Sequence, residues 1–533
     1  MPGPDAVRAF ILEIGLGALL LLVFVATLGI RGAERRVIGW IATWGVLVLA
    51  FTSFLVRPAP PALGGMFVQD GLAIFAKRLF LAATFIGLLA SLGNAQPAFV
   101  RRAGEYHLLI LSSLLGMFVL ASARDLILLF VAFELMSIPL YVLSGFLKRQ
   151  EEAVEAALKF FLVGSVSSAV LVYGLSFVYG AARSTDLATV ARVSPATEPL
   201  LALGLLAAFA GFGFKIAAFP FHMWVPDTYE AASTPFVAWL SVAPKAAGFV
   251  ALFRVYLEGV GDRAAAWIPL AAGLATLTIV AGNLMALPQQ NTKRLLAYSG
   301  IAHIGYMLVG FAAASASGVA MVLFYLVTYV FGNMGAFLVV EAVARSEGSE
   351  ATTAFRGLAQ RSPLLALAML IFLLSLGGIP FVAGFWAKLY VFWAAASVGL
   401  YWLVLVGAVL TVVALFYYLV VAKRMYIEAP ERPGRVHLSA TLALAVLICV
   451  GGVVVLCHQD GGEREQRQSR AVDARGDSRS GEPSDPRPRL QPHVARRRAP
   501  RERRRQGQLL LPLQEQGRAR LRDPRSDHRV LPR

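Results

Sequence analysis

Long apolar runs separated by short polar loops form the main pattern of this 533-residue chain. Most of the runs reach the length of about 20 residues that an α-helix needs to cross the hydrocarbon core of a bilayer. The pattern therefore predicts an all-α polytopic membrane protein with about 14 transmembrane helices. The fourteen runs lie at residues 9–30, 37–56, 67–93, 107–122, 125–147, 155–181, 199–219 with a continuation to 232, 235–257, 266–287, 294–314, 317–343, 363–398 with an internal break, 401–422 and 438–457.

Two of these spans, the seventh and the twelfth, are interrupted. Pro220 stands in the continuation of the seventh span, and proline removes a backbone donor and breaks a helix. Gly377, Gly378 and Pro380 interrupt the twelfth span. Irregular backbone is tolerated in a membrane only where it lines protein or water, so such breaks are typical of transport sites at mid-depth. Two breaks five spans apart predict two inverted five-helix repeats.

The repeats divide the chain into five predicted segments. Residues 1–106 hold the first three spans, residues 107–257 hold the first repeat with spans 4 to 8, and residues 258–425 hold the second repeat with spans 9 to 13. The last span lies in residues 426–457, and a polar tail follows at residues 458–533.

The tail differs from the rest of the chain in composition. It contains 20 Arg against 11 acidic residues and has no Lys, Phe, Tyr, Trp or Ile, so it cannot bury enough apolar surface to fold. We interpret it as the product of a reading-frame shift, and the alternative is a disordered basic extension that binds anionic lipid or a partner. Because the tail supplies about half of the formal net charge of +17, that charge does not indicate a nucleic-acid partner.

Positive residues are distributed unequally between the two sets of loops. The loops after odd-numbered spans carry sixteen Lys and Arg, and the opposite side carries nine, among which Lys77 and Arg254 are counted. Positively charged loops stay on the cytoplasmic side of a membrane. We therefore expect the N-terminus on the outer side.

Four lysines remain inside the apolar runs: Lys159, Lys215, Lys245 and Lys388. Arginine keeps its charge at any relevant pH, whereas a desolvated lysine releases its proton readily. A row of buried lysines can therefore take up protons and pass them on. The alternative is that these lysines form structural ion pairs or extend to the membrane surface, which suits Lys159 because Glu155 lies four residues before it.

The fifth span carries an acidic residue, Glu134, about ten residues from its start and thus near mid-bilayer. An unpaired carboxylate at this depth costs at least about 2.5 kcal/mol, so we predict that a lysine of another helix pairs with it. Glu13 and Glu341 lie closer to the ends of their spans. We interpret those two as interfacial residues.

Two histidines are further candidates for proton transfer. His222 follows the break in the seventh span, and His303 lies in the tenth span within YSGIAHIGYML. Neutral imidazole both donates and accepts hydrogen bonds, so these two and Lys159 are candidate relay residues. A histidine in a membrane bundle equally often joins two helices by a hydrogen bond. Cys449 and Cys457 indicate neither a disulfide framework nor a metal site.

A family resemblance is carried by four stretches: FKIAAFPFHMWVPDTYEAASTPFVAWLSVAPKAAGF, FELMSIPLYVLSGF, NTKRLLAYSGIAHIGYMLVG and GIPFVAGFWAKLYVF. They closely resemble the subunit N family of the bacterial proton-pumping NADH-quinone oxidoreductases, or respiratory complex I, which is one of three antiporter-like subunit families. The resemblance covers roughly residues 9–457. Lys388 disfavours the sister family that has glutamate on helix 12, and the tail departs from the family pattern.

The resemblance implies two antiporter-like repeats and a row of charged residues along the membrane midplane that continues into neighbouring subunits. By position, Glu134 matches the family glutamate on helix 5, Lys215 and Lys245 match the lysines on helices 7 and 8, and Lys388 matches the lysine on helix 12. It also implies the bacterial inner membrane, a periplasmic N-terminus, and partner subunits that include the sister antiporter-like subunits.

The chain contains no Gly-rich dinucleotide fingerprint, no P-loop and no cysteine cluster for iron and sulfur. The resemblance therefore implies that NADH, FMN, the iron–sulfur clusters and quinone belong to partner subunits and that this chain has no cofactor. We expect a proton-translocating subunit of an NADH:quinone oxidoreductase. The alternatives are a subunit of a monovalent cation/proton antiporter and a passive membrane scaffold.

Overall fold

The computed structural model describes residues 8–94, 97–147, 150–194, 197–260, 264–431 and 434–457. The predicted tail, residues 458–533, lies outside the described residues. Within the described ranges, 13 helices are long and apolar enough to cross a membrane. We number each helix after the predicted span that it occupies and use the letters a and b for the two pieces of one span.

The longer helices are α1 (Ile11–Gly29), α2 (Arg36–Leu55), α3 (Gly71–Ser91), α4 (Ala103–Ser122), α5 (Leu126–Ser144), α6 (Glu151–Ala182), α7a (Glu198–Ile216), α7b (Trp224–Ala231), α8a (Thr234–Leu240), α8b (Ala243–Leu252), α9 (Ala264–Ala286), α10 (Thr292–Ala312), α11 (Ala316–Glu347), α12a (Pro363–Gly377), α12b (Ala383–Ser397), α13 (Tyr401–Tyr426) and α14 (Ala440–Cys457). Short helices and turns lie at Gly32–Arg35, Leu63–Gly65, Pro97–Arg101, Leu187–Val190, Phe253–Glu258, Thr352–Phe355 and Leu358–Arg361.

All fourteen predicted spans are helical, which confirms the predicted class of an all-α polytopic membrane protein. The twelfth span is missing from the 13 long helices because it consists of two pieces, α12a and α12b, of 15 residues each. The helices pack around one continuous apolar core that reaches from α1 to α14.

The start of the third span was predicted wrongly. Ala59–Ala62 (β1) and Phe67–Gln69 (β2) form a small antiparallel hairpin, with Ala62 opposite Phe67. The helix begins only at Gly71 because Asp70 caps it by accepting a hydrogen bond from the backbone of Ala73 at 2.9 Å. The apolar character of residues 67–69 comes from a buried strand.

Helix α7a ends four residues before Pro220. Proline has no N–H to donate to the carbonyl four residues earlier, and it disfavours helical backbone at the preceding residue. Ala217 takes a left-handed conformation with φ of 67°, and its N–H caps α7a. The carbonyl of Phe214 accepts this N–H at 3.1 Å and also accepts the indole N–H of Trp224 at 3.2 Å, so the end of the helix stays hydrogen-bonded inside the bundle.

Helix α12a ends in a similar way at Gly377. Gly378 has φ of 77°, which favours glycine, and its N–H donates to Leu374 at 3.0 Å. The chain becomes helical again at Ala383, where the N–H of Gly384 donates to the hydroxyl of Ser375. A 32-residue helix, α6 or α11, lies before each of the two interrupted spans, but the two inverted repeats stay a prediction.

The eighth span is buried along nearly its whole length, and only its last turn reaches partial exposure at Glu258. It consists of α8a, α8b and a π-helical last turn at Phe253–Glu258. Pro244 stands in the first turn of α8b, where its missing N–H costs no helical hydrogen bond. This division of the eighth span was not predicted.

A buried charge cluster joins the last turn of the eighth span to the start of α3. Arg254 has no exposed surface, and its guanidinium donates to both carboxylate oxygens of Asp70 at 2.6 and 2.7 Å and to Glu258 at 2.5 Å. Burial opposes the charged form of Asp70, but the hydrogen bonds and charge of Arg254 outweigh it, so the pKa of Asp70 lies below its ordinary value of 3.8. Arg254 is therefore not a loop charge, contrary to the sequence analysis.

Replacing Asp70 with asparagine is expected to destabilise the protein. Asparagine caps a helix as well as aspartate does, so the change removes the charge opposite Arg254 and keeps the cap. Arg254 keeps Glu258 as a partner, so the cost is less than the roughly 3 to 5 kcal/mol of a buried charge left uncompensated, and thermal unfolding in detergent detects it as a lower midpoint. The control is Glu428→Gln at the pair with Arg356, whose side chain is 38% exposed whereas that of Arg254 is fully buried, so little change is expected. Equal midpoints for both variants would contradict the assignment.

Lys77 is likewise buried rather than a loop residue. It lies on α3 with no exposed surface, and its ammonium forms an ion pair with Glu13 of α1 at 2.5 Å and a hydrogen bond with Gln69. Glu13 is therefore paired inside the protein in addition to lying near a helix end. Glu341 is also buried and pairs with Arg345 at 2.5 Å.

Candidate functional site

Helices α5, α6 and α7a bring Glu134 and Lys215 to one side of the bundle. Lys215 is 2% exposed, and its ammonium donates a hydrogen bond of 2.7 Å to the hydroxyl of Ser137. Glu134 accepts a hydrogen bond of 2.5 Å from the hydroxyl of Ser168 on α6. Each charged group therefore has a serine as its hydrogen-bond partner.

Among the described residues, no lysine forms the predicted direct pair with Glu134. Glu134 is only partly buried, so its carboxylate is less desolvated than its position at mid-span suggested. Ser137 lies one turn further along α5, and residues three apart are neighbours on a helix surface. The hydroxyl of Ser137, and not the carboxylate of Glu134, faces α7a.

Lys245 follows Lys215 along the row, on α8b. A Cβ atom at Gly248 would lie 2.7 Å from the side chain of Ile216 and 3.6 Å from that of Lys215. Glycine at this position therefore allows α8b to pass close to α7a. Lys245 precedes Gly248 by three residues and so lies on the same face of α8b.

The ammonium of Lys245 is buried without a hydrogen-bond partner in the described part of the chain. It lies 5.3 Å from the ring centre of Tyr229. A Cβ at Gly300 would be 3.5 Å from this nitrogen and 2.8 Å from the hydroxyl of Tyr329. The hydroxyls of Tyr229 and Tyr329 are also buried and unpartnered among the described residues, so three polar groups surround one small region beside α10.

His303 on α10 connects this region to the second half of the bundle. Its ring lies 5.2 Å from that of Tyr329, its Nδ1 is 2.8 Å from the hydroxyl of Tyr325, and its Nε2 is 3.3 Å from the hydroxyl of Tyr418. Tyr418 also hydrogen-bonds Ser299. The predicted alternatives for His303, relay residue and helix–helix contact, are therefore compatible at this position.

Lys388 lies at the far end of the row. It is 4% exposed, and its ammonium donates to the carbonyl oxygens of Leu376 at 2.9 Å and Gly377 at 3.3 Å. These carbonyls end α12a, and the negative end of a helix stabilises a cation. The ammonium also lies 4.7 Å from the ring centre of Tyr306.

A buried amide joins Tyr306 to the tyrosines of α13. Asn283 on α9 donates to the hydroxyl of Tyr306 at 3.3 Å and accepts from the hydroxyl of Tyr417 at 3.1 Å. The rings of Tyr417 and Tyr418 are 4.5 Å apart. Polar side chains therefore lie in succession from the surroundings of Lys245 to those of Lys388, joined partly by hydrogen bonds and partly by ring contacts.

Lys159 and His222 lie apart from this row. Half of the Lys159 side chain is exposed, and its ammonium pairs with Glu155 at 2.6 Å and with Asp227 at 3.3 Å. This is the structural ion pair that the sequence offered as an alternative, and it lies at a polar cleft of about 600 Å³. His222 stacks on Phe219, and its Nδ1 has no hydrogen-bond partner in the described ranges. Relay roles for these two residues stay predictions.

Sequence reasoning found the charged residues of the row and missed its neutral ones. The missed side chains are Ser137, Ser168, Tyr229, Asn283, Tyr306, Tyr325, Tyr329, Tyr417 and Tyr418. One signal was available, because Ser299, His303 and Tyr306 are spaced by four and three residues and so share one face of α10. Isolated serines and tyrosines in apolar runs carry no comparable signal, since such runs contain many of them.

The comparisons with known proteins agree with the resemblance. The family described as "NADH:quinone oxidoreductase/Mrp antiporter, TM" matches residues 123–414. NADH-quinone oxidoreductase subunit N of Moorella thermoacetica is 41% identical over 82% of this chain and 92% of its own length. The protein of the same name from Heliobacterium modesticaldum is 40% identical over the same shares.

Solved structures have the same fold. A chain of respiratory complex I from Thermus thermophilus with bound aureothin is 33% identical, covers 84% of this chain and 97% of its own length, and has a TM-score of 0.73. A chain of the Mrp complex from Dietzia sp. DQ12-45-1b has a TM-score of 0.75 at 20% identity, over 87% of this chain and 95% of its own length, which shows a common fold only.

The fold and the buried polar row define an antiporter-like polytopic membrane subunit. Within that class, the chain belongs to the family of NADH-quinone oxidoreductase subunit N. The predicted resemblance is thereby confirmed.

Proposed function

We propose that this chain is the proton-translocating membrane subunit N of an NADH-quinone oxidoreductase. Quinone reduction by NADH takes place in partner subunits, which hold FMN, the iron–sulfur clusters and the quinone site. The partners include further antiporter-like membrane subunits. The complex lies in the bacterial inner membrane, and the N-terminus of this chain lies on the periplasmic side, which the unequal distribution of Lys and Arg supports.

The observation that carries the proposal is the row of three buried lysines at the two helix breaks and the eighth span. Lys215, Lys245 and Lys388 are each less than 5% exposed, and no carboxylate forms an ion pair with any of them among the described residues. A structural ion pair would satisfy a buried ammonium with a carboxylate. A buried lysine that has a hydroxyl or carbonyls as partners, or lacks a hydrogen-bond partner among the described residues, is suited to bind and release protons.

Each part of the row has a proposed role. Lys215 takes up a proton while Glu134 is near and releases it when the two separate. Lys245 and His303 pass the proton on, and the hydroxyls of the tyrosines and the amide of Asn283 orient the hydrogen bonds between them. Lys388 delivers the proton at the far end. Moving one charge against 100 mV costs about 2.3 kcal/mol. Each tenfold change in the proton affinity of a lysine is worth about 1.4 kcal/mol, so a few such steps cover this cost.

Proton uptake by inverted membrane vesicles tests this function, with Glu134→Gln as the decisive variant. Glutamine keeps the shape and removes the charge that drives Lys215, so we expect several-fold less proton uptake per NADH oxidised. Electron transfer from NADH to ferricyanide, which uses only the partner subunits, should stay normal. The matched control is Glu105→Gln, because Glu105 is exposed in the first turn of α4.

Two results would count against the proposal. Normal proton uptake in Glu134→Gln would remove Glu134 from the mechanism. Uptake of radioactive sodium that follows NADH oxidation, with no acidification, would instead support the cation antiporter function.

A further inference from the structure

Ser137 and Ser168, which hydrogen-bond Lys215 and Glu134, have no role in the function proposed above. Their hydrogen bonds differ from those that serines in a helix commonly make. Hydroxyls of serine in a helix commonly donate to a carbonyl of their own helix, as Ser167 does to Val163 at 2.8 Å. Ser168, its neighbour on α6, donates across the helix interface to Glu134 at 2.5 Å. Its donor is therefore used to hold the carboxylate toward α6.

Ser137 uses both of its hydrogen-bonding functions. Its hydroxyl donates to the carbonyl of Phe133 at 2.6 Å and accepts from the ammonium of Lys215 at 2.7 Å. The donation to Phe133 directs an oxygen lone pair at α7a. Ser137 has no exposed surface, so this acceptor is available to Lys215 and not to solvent.

The alternative partner of Lys215 lies within reach. Glu134 and Ser137 are three residues apart on α5, which places their Cβ atoms about 5 to 6 Å from each other. The ammonium lies 5.4 Å from the ring centre of Phe133, the residue that precedes Glu134. The flexible four-carbon stem of lysine gives the ammonium freedom to turn from Ser137 toward the Glu134 carboxylate.

We infer that Ser137 and Ser168 form a hydroxyl latch that holds Lys215 and Glu134 apart in one state of the cycle. Ser137 binds the ammonium, and Ser168 binds the carboxylate. In the other state both hydrogen bonds are exchanged for a direct contact between Lys215 and Glu134. No covalent bond changes, and the serines are positioning residues that act through the two charged groups.

The latch sets the balance between the two states. A hydrogen bond to a charged group is worth enough to change such a ratio by about tenfold or more. Without either serine, one charged group loses its partner in the separated state while the direct contact loses nothing. Lys215 then stays with Glu134 and keeps its proton.

The test uses Ser137→Ala and Ser168→Ala in the assembled complex, in inverted vesicles. We expect each variant to lower proton uptake per NADH by about tenfold, and the double variant to lower it further, because the two hydrogen bonds add their free energies to one equilibrium. Ser137→Thr, which restores the hydroxyl, should recover most of the uptake. The matched control is Ser144→Ala on the same helix, a buried serine whose hydroxyl donates to the carbonyl of Tyr141 at 2.7 Å.

A merely structural role makes different predictions. Ser137→Ala would then behave like Ser144→Ala in proton uptake, and threonine would give no recovery; either result overturns the latch. Should Ser137→Ala fail to assemble, Ser168→Ala decides, because Ser168 lies nearer the surface of the bundle with 9% exposure. Normal uptake in that variant also overturns it.

The latch rests on the proposed function, and Lys215→Met separates the two failures. Normal proton uptake in Lys215→Met would contradict the proposed function itself. Loss of uptake in Lys215→Met together with normal uptake in both alanine variants would contradict the latch alone.

Discussion

Lys215→Met is expected to assemble into the complex and to lose nearly all proton uptake that is coupled to NADH oxidation. Methionine keeps the length and apolar bulk of the side chain and cannot bind a proton. Positioned acid–base groups contribute about 10²- to 10⁴-fold to proton transfer in enzymes, so we expect uptake to fall by at least about tenfold. Quenching of a pH-sensitive dye in inverted vesicles measures the proton uptake. The control is Lys423→Met, at an exposed lysine of α13.

Lys215→Arg distinguishes a titrating lysine from a structural cation. Arginine retains the charge and donates hydrogen bonds to Ser137 or Glu134, but it does not release its proton. A titrating role therefore predicts that the arginine variant is defective, as the methionine variant is. A structural role predicts nearly normal uptake in the arginine variant, and that result would show that Lys215 only holds helices together.

Lys388→Met is expected to give the second largest loss. Lys388 is the last lysine of the row, and its ammonium is bound only by carbonyls at the end of α12a and by the face of Tyr306 in the described part of the chain. Among the described residues, no carboxylate pairs with Lys388 to hold a proton there. We expect uptake to fall by about tenfold, or less where protons leave the row before reaching Lys388.

Two additional measurements make the Lys388 result specific. Methionine also removes a donor from the carbonyls of Leu376 and Gly377, so thermal unfolding of the complex must accompany the uptake assay. Lys388→Arg keeps a donor for those carbonyls and should restore stability without restoring uptake. Normal uptake in Lys388→Arg would show that Lys388 only caps α12a and does not belong to the row of proton-transfer residues.

The hydrophobic pattern predicted the helices well because a bilayer demands about the same apolar length from every span. It failed where burial had another cause. Residues 67–69 are apolar because they form a buried strand, and Lys77 and Arg254 looked like loop charges although they are buried beside Glu13 and Asp70. A pattern along one chain shows that a charge lies near a helix end; it does not show whether an opposite charge on another helix covers it.

The helix breaks were predictable to within a few residues. Pro220 and the pair Gly377 and Gly378 act through local backbone geometry, which the sequence specifies directly. The break within the eighth span was missed, although Pro244 stands there, because proline in the first turn of a helix is tolerated.

The sequence by itself determined the class of protein, the family, and the lysines at helices 7, 8 and 12, since lysine in an apolar run is costly and so conspicuous. Only the tertiary structure decided what each charge contacts. It placed Ser137 rather than Glu134 beside Lys215, left Lys245 without a partner among the described residues, and set Lys388 on the end of α12a. These contacts depend on how separate helices approach and rotate against one another, and hydrogen bonds shorter than about 3 Å respond to shifts far smaller than any sequence pattern specifies.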